Sequence, residues 1–102
     1  MIHAEISLYP IGTNTTSASF YIAKAIEVIK DYEGVRYEVN PMGTILESTS
    51  IDKIYDAAKM MMEVIHNLGV HRVEVIIKVD SRMDKNQKLE EKMESIKKQL
   101  GS

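Results

Sequence analysis

Ile2, Ala4, Ile6 and Leu8 alternate with His3, Glu5, Ser7 and Tyr9, which predicts a strand with one buried face. A polar stretch follows. Ile22, Ile26 and Ile29 then recur at helical spacing, with Ala18 and Ala25 filling in, so a first helix is expected from about Ser17 to Asp31. Glu33-Gly34 breaks that period. Val35, Tyr37 and Val39 alternate with Arg36, Glu38 and Asn40 as a second strand, and Met42 to Ser48 makes a third. The short connection makes these two antiparallel neighbours, with Pro41 at a strand end or bulge. A second helix starts within Ser48–Asp52, and Ile54, Ala58, Met61, Ile65 and Leu68 form its apolar stripe. Tyr55 and Met62 widen the stripe, and Gly69 is free to turn left-handed and stop the helix. Val73, Val75, Ile77 and Val79 against Arg72, Glu74, Ile76, Lys78 and Asp80 give the clearest strand. Finally Asp84-Lys85-Asn86-Gln87, an acid N-cap with Gln three residues on, opens a third helix. Its stripe of Leu89, Met93, Ile96 and Leu100 is narrow and its other positions are charged, so it belongs outside, against the sheet or a partner subunit.

The order β-α-β-β-α-β plus a terminal helix, with right-handed crossovers, gives a single α+β domain over residues 1–102: a ferredoxin-like split βαβ sandwich. Two helices cover one face of a four-stranded antiparallel sheet. Parity assigns Ile2, Ile6, Leu8, Val35, Tyr37, Val39, Leu46, Val73, Val75, Ile77 and Val79 to that covered face. Glu5, Ser7, Tyr9, Arg36, Glu38, Glu47, Arg72, Glu74 and Lys78 fall on the other. That second face is either simply solvated or, given Ile76 and Tyr9 within it, a wet interface between subunits.

Composition removes several function classes. A net charge of -2 gives no electrostatic footprint for nucleic acid or an anionic membrane. No apolar run reaches the ~18 residues of a membrane span, and no signal peptide is present, so a cytoplasmic protein is expected. With no cysteine, disulfides, thiolate catalysis and cysteine metal sites are excluded. His3, His66 and His71 lack zinc spacing, no glycine-rich phosphate loop or nucleophile elbow occurs, and Phe20 alone makes no RNA-binding aromatic platform.

Three segments carry unusual residues. From Thr13 to Ser19, six of seven side chains are hydroxyls or amides (Thr13, Asn14, Thr15, Thr16, Ser17 and Ser19). They sit where a strand turns into a helix, with Thr16 and Ser17 as N-cap candidates and no acid before Glu27. This is either ordinary capping chemistry or a small-molecule site. Met42-Gly43-Thr44-Ile45-Leu46-Glu47 combines a glycine allowing close backbone approach with an acid in an apolar strand. Lys78, Asp80 and Arg82 share one side of the last strand.

At these segments the sequence resembles the small thiamine-binding protein family. The matching features are the opening strand into Pro10-Ile11-Gly12-Thr13, the Ser/Thr run ending at Tyr21, the Tyr37 strand, Met42-Gly43-Thr44 with Glu47, and Lys78-Val79-Asp80-Ser81-Arg82. They occur in order over nearly the whole chain. The resemblance implies a ferredoxin-like protomer that pairs through its sheet into a homotetramer, a dimer of dimers, and binds thiamine or its hydroxymethylpyrimidine moiety without catalysis or cofactor. Carried onto this chain, Glu47 engages the aminopyrimidine, and Thr13, Asn14, Thr16 and Ser17 supply further hydrogen bonds. Gly43 and Thr44 line the site, Tyr21 or Met42 packs on the ring, and Asp80 balances the thiazolium cation. An uncompensated helix N-terminus prefers an anion, so either Glu47 reaches that helix end or the ligand carries phosphate. Two other classes stay open: a structural or regulatory homo-oligomer whose loop only caps its helix, and a small enzyme on a dimeric ferredoxin-like scaffold.

Overall fold

The computed structural model describes residues 1–101. Strand β1 (Ile2–Ile11) leads into α1 (Ser19–Ile29), then β2 (Arg36–Asn40), β3 (Gly43–Ser48), α2 (Ile51–Asn67), β4 (Arg72–Ser81) and α3 (Leu89–Gln99). The four strands form one sheet in the order β2-β3-β1-β4 with every neighbour antiparallel, the ferredoxin-like arrangement expected from the element order.

Period two decides the faces. Ala4, Ile6 and Leu8 of β1 and Leu46 of β3 are buried under the two covering helices. They meet Ala25 and Ile29 of α1 and Ile54, Ala57, Met61 and Ile65 of α2 in one core. Each of the larger side chains there contributes about 1.5–3 kcal/mol relative to exposure. The α2 stripe is therefore close to the expected one, but it runs through Ala57, and Tyr55 and Leu68 point to solvent. Ser50 caps α2 by accepting from the Lys53 N–H at 3.3 Å. Gly69, at φ +96°, ends it. In the same turn the His66 Nδ1–H donates to the Val70 carbonyl at 2.7 Å, so this ring closes a loop.

Two helix starts differ from expectation. Helix α1 begins at Ser19 behind Ala18, without a side-chain cap, whereas Thr16 and Ser17 were the expected caps. Helix α3 begins at Leu89, five residues beyond the expected Asp84 cap, because Arg82 holds both Asp84 oxygens at 2.9 and 3.0 Å. That guanidinium lowers the Asp84 carboxyl to about 2. The first turn of the third helix is tied to the sheet by polar contacts of Leu89, Glu90 and Lys92 with Glu47, Arg36 and Asp80. Its Met93, Ile96 and Leu100 remain exposed. Among the described residues no helix is long and apolar enough to cross a membrane.

Candidate ligand-binding site

Strand β1 runs on through Pro10 to Ile11. Its pairing with β3 ends at Ile6–Thr44, so beyond that point only β4 accompanies it. The far side of β1 at Pro10 has no ladder to break. Gly12 then turns the chain at φ +81°. The hydroxyls that follow bond mostly to one another. Thr13 Oγ1 donates to the Thr15 carbonyl at 2.8 Å, the Ser17 N–H donates to Thr15 Oγ1 at 3.1 Å, and Ser17 and Ser19 hydroxyls meet at 2.9 Å. The first turn of α1 therefore keeps its N–H groups free of a strong side-chain cap and contains no acid.

A cleft opens on each side of this loop. The first, of about 330 Å3, lies between the loop and the α2–β4 connection, where Gly12, Thr13, Asn14 and Tyr21 face His71 and Arg72. The second, of about 180 Å3, lies between α1 and the β2–β3 hairpin. Ile6, Leu8, Ala18 and Ile22 give it apolar walls, and Met42, Gly43 and Thr44 close the hairpin side. The hairpin is rigid: Asn40 Oδ1 accepts from the Met42 N–H at 2.8 Å, and Ser7 Oγ donates to the Met42 carbonyl at 3.1 Å. Gly43 is required by close approach, since a Cβ there would stand 2.9 Å from the Ile6 carbonyl oxygen.

Thr44 is the unusual residue in the second cleft. It is 2% exposed, yet its hydroxyl makes no hydrogen bond among the described residues. No fully enclosed side-chain polar atom lacks a partner, so this hydroxyl keeps an opening onto the cleft. A hydroxyl that faces a cleft is free to bond water there, and a ligand's donor or acceptor can take that place.

Glu47 and Asp80 lie elsewhere. Both face His3 across the strands, at the opposite end of β1 from the loop. Eight residues of strand separate His3 from Ile11, ~26 Å at ~3.3 Å per residue. Glu47 does not reach the N-terminus of α1, and it is engaged already. Its Oε2 accepts from His3 Nε2 at 2.9 Å and from the Leu89 N–H at 3.0 Å, while Arg36 stands 3.6 Å from Oε1. Burial pushes this carboxyl up, but the hydrogen bonds from His3 and Leu89, with the charges of His3 and Arg36, outweigh it and hold it below the usual range. Glu47 thus caps α3 from 42 residues away. Asp80 binds Lys92 of α3 at 2.6 Å.

A protein-family model described as "Thiamine-binding protein" matches residues 4–97. The chain belongs to that family. It is 40% identical to a UPF0045 protein of Methanothermobacter thermautotrophicus over 98% of this chain and 100% of that one. A Bacillus subtilis UPF0045 protein is 34% identical over 98% of each chain. A solved structure from Methanocaldococcus jannaschii superposes with a TM-score of 0.84 at 40% identity, covering 94% of this chain and 95% of that one.

The residues expected from the family resemblance therefore divide into three groups. Thr13, Asn14 and Tyr21 line the first cleft, and Met42, Gly43 and Thr44 line the second. Thr16 and Ser17 sit in the loop between and line neither. Glu47 and Asp80 hold α3, and this corrects the expectation that they converge with the loop. Ala18, Ile22, His71 and Arg72 border the clefts without having been singled out. Their only signal was adjacency to the polar loop and to Gly69.

Proposed function

We propose that this member of the family is a non-enzymatic binding protein for thiamine or its hydroxymethylpyrimidine moiety, and that the pyrimidine ring enters the cleft between α1 and the β2–β3 hairpin. The observation that carries this is Thr44, a buried residue whose hydroxyl has no protein partner among the described residues and opens onto an apolar slot. A flat heterocycle packs against Ile6, Leu8 and Ile22, and a ring nitrogen or the exocyclic amine completes the Thr44 hydrogen bond. At about 180 Å3 the slot suits one substituted ring. It is below the roughly 300–1,000 Å3 typical of drug-sized ligands. The second ring of thiamine then projects past Met42 toward solvent.

Isothermal titration with thiamine and with the free pyrimidine alcohol tests this. Thr44→Val keeps the side-chain shape and removes the hydroxyl, and it is expected to weaken binding roughly tenfold, about 1.4 kcal/mol. No heat from either compound, or an unchanged affinity in the folded Thr44→Val variant, overturns the assignment. Thiamine phosphates belong in the same titration.

A further inference from the structure

Two rows of side chains cross the open face of the sheet beside the first turn of α3. Strand register aligns Glu47, His3 and Asp80 in one row, and Ile45, Glu5 and Lys78 in the next. Helix α3 engages the first row, through the Leu89 N–H on Glu47 and Lys92 on Asp80. It leaves the second row free, and a cleft of about 250 Å3 opens there between the strands, Leu89 and Lys92. His3 lines this cleft and is 5% exposed. Its Nε2 meets Glu47 Oε2 at 2.9 Å, and an ionised carboxylate only accepts, so Nε2 carries the hydrogen and Nδ1 of the neutral ring is an acceptor. Nδ1 has no hydrogen-bond partner among the described residues. No fully enclosed polar atom is left unpaired, so Nδ1 opens onto the cleft.

Glu5 and Lys78 supply the second observation. They stand directly opposite each other on adjoining strands, where opposite charges ordinarily attract and pair. Both line the cleft, yet neither takes part in an ion pair or a side-chain hydrogen bond among the described residues. The cleft therefore holds one free anion, one free cation and a buried acceptor. Glu5 cancels Lys78 and Asp80 cancels Lys92, so a simple ion would satisfy one of the free charges and be repelled by the other. We propose that this cleft binds a free α-amino acid with an aliphatic side chain. Its ammonium donates to Glu5 and to His3 Nδ1, its carboxylate accepts from Lys78, and its side chain lies against Ile45 and Leu89, both half-buried. Cross-strand partners have Cα atoms roughly 4.5–5.5 Å apart, which suits two charges carried on one carbon rather than on the distant ends of a peptide. The volume is below the roughly 300–1,000 Å3 of drug-sized sites, as a ligand of this size requires. Alternation along β1 places the site away from the pyrimidine slot, because Ile6 and Leu8 point toward the helices and His3 and Glu5 to the other face.

Titration of the isotope-labelled protein with L-leucine tests this. Saturable amide shifts are expected at His3, Glu5, Ile45 and Lys78, with Ala18 and Ile22 unmoved. Two analogues separate the charges: 4-methylpentanoate lacks the ammonium and isoamylamine lacks the carboxylate. Each is expected to bind at least roughly tenfold more weakly than leucine. Glu5 and Lys78 are both exposed, so their variants keep the core intact. Glu5→Gln is expected to weaken leucine roughly tenfold while leaving 4-methylpentanoate within about twofold. Lys78→Gln is expected to weaken leucine by the same factor while leaving isoamylamine within about twofold. No saturable shift with leucine, an analogue that binds as tightly as leucine, or an unchanged leucine affinity in either variant overturns the proposal. The first of these results includes the case where another protein surface closes the cleft. No thiamine compound enters the experiment, so its failure and that of the pyrimidine assignment are read separately.

Discussion

Replacing Glu47 by glutamine should destabilise the docking of α3 and leave the ligand cleft intact. In the wild-type protein Glu47 Oε2 receives two hydrogen bonds, from His3 and from the Leu89 N–H, and the residue is 7% exposed. Hydrogen bonds to an ionised group contribute about 1.5–3 kcal/mol each, against about 0.5–1.5 kcal/mol for neutral ones. Glutamine can place its amide oxygen where Oε2 stands and keep both bonds in neutral form, losing about 1 kcal/mol on each. Its NH2 then faces the Arg36 guanidinium, where a carboxylate oxygen was, which adds to the loss. The total is about 2 kcal/mol. For a domain of this size that corresponds to a Tm lower by roughly 8–16 °C. Circular dichroism melts at a fixed protein concentration measure the shift, and amide hydrogen exchange locates it. Exchange should accelerate first in α3, while thiamine affinity at a temperature where the variant is folded should stay within about twofold of wild type. A Tm change below about 3 °C, or a folded variant that has lost binding, would refute the assignment of Glu47 as a tertiary cap.

Other expectations follow from the same contacts. The Glu47 carboxyl is depressed in the folded protein, so its contribution is fully present above the ordinary carboxylate pKa and is lost as pH falls through the lower folded value. The urea midpoint should therefore be flat from about pH 7 to 5 and decline below about pH 4, less steeply in Glu47→Gln; an identical decline in both contradicts the linkage. Gly43→Ala should cost about 1–3 kcal/mol, because the new Cβ meets the Ile6 carbonyl oxygen on a neighbouring strand, and chemical denaturation showing no loss contradicts that. Ser50→Ala removes the cap of α2 and should lower stability by about 1 kcal/mol in the same assay, whereas Ser17→Ala, which caps no helix N–H strongly, should change it by less than about 0.5 kcal/mol.

The order of elements and the two faces of the sheet could be read from the sequence because period two survives any local error in strand length. Glu47 shows why the site could not. Its position on the face away from the covering helices was legible by parity. Its partners His3 and Leu89 depend on strand register and on where a distant helix docks, and neither leaves a local trace. The start of α3 was missed for the same reason: Asp84 has the local look of a cap, but Arg82 takes it, and the cap comes from Glu47. In the polar loop the hydroxyls were rightly located at the strand-to-helix turn. Bonding among Thr13, Thr15, Ser17 and Ser19 rather than to the helix moved its start to Ser19. Thr44 was named from the family resemblance. What marks it physically is burial with an unpartnered hydroxyl, which only the packing of α1 against the hairpin reveals.

The most direct test of the central claim is a two-dimensional amide NMR titration of the isotope-labelled protein with the hydroxymethylpyrimidine alcohol. Occupation of the α1–hairpin cleft predicts saturable shifts centred on Ala18, Ile22, Met42, Gly43 and Thr44, with His3, Glu47 and Leu89 unmoved. Shifts centred on His3 and Glu47, or no shifts at saturating compound, contradict it.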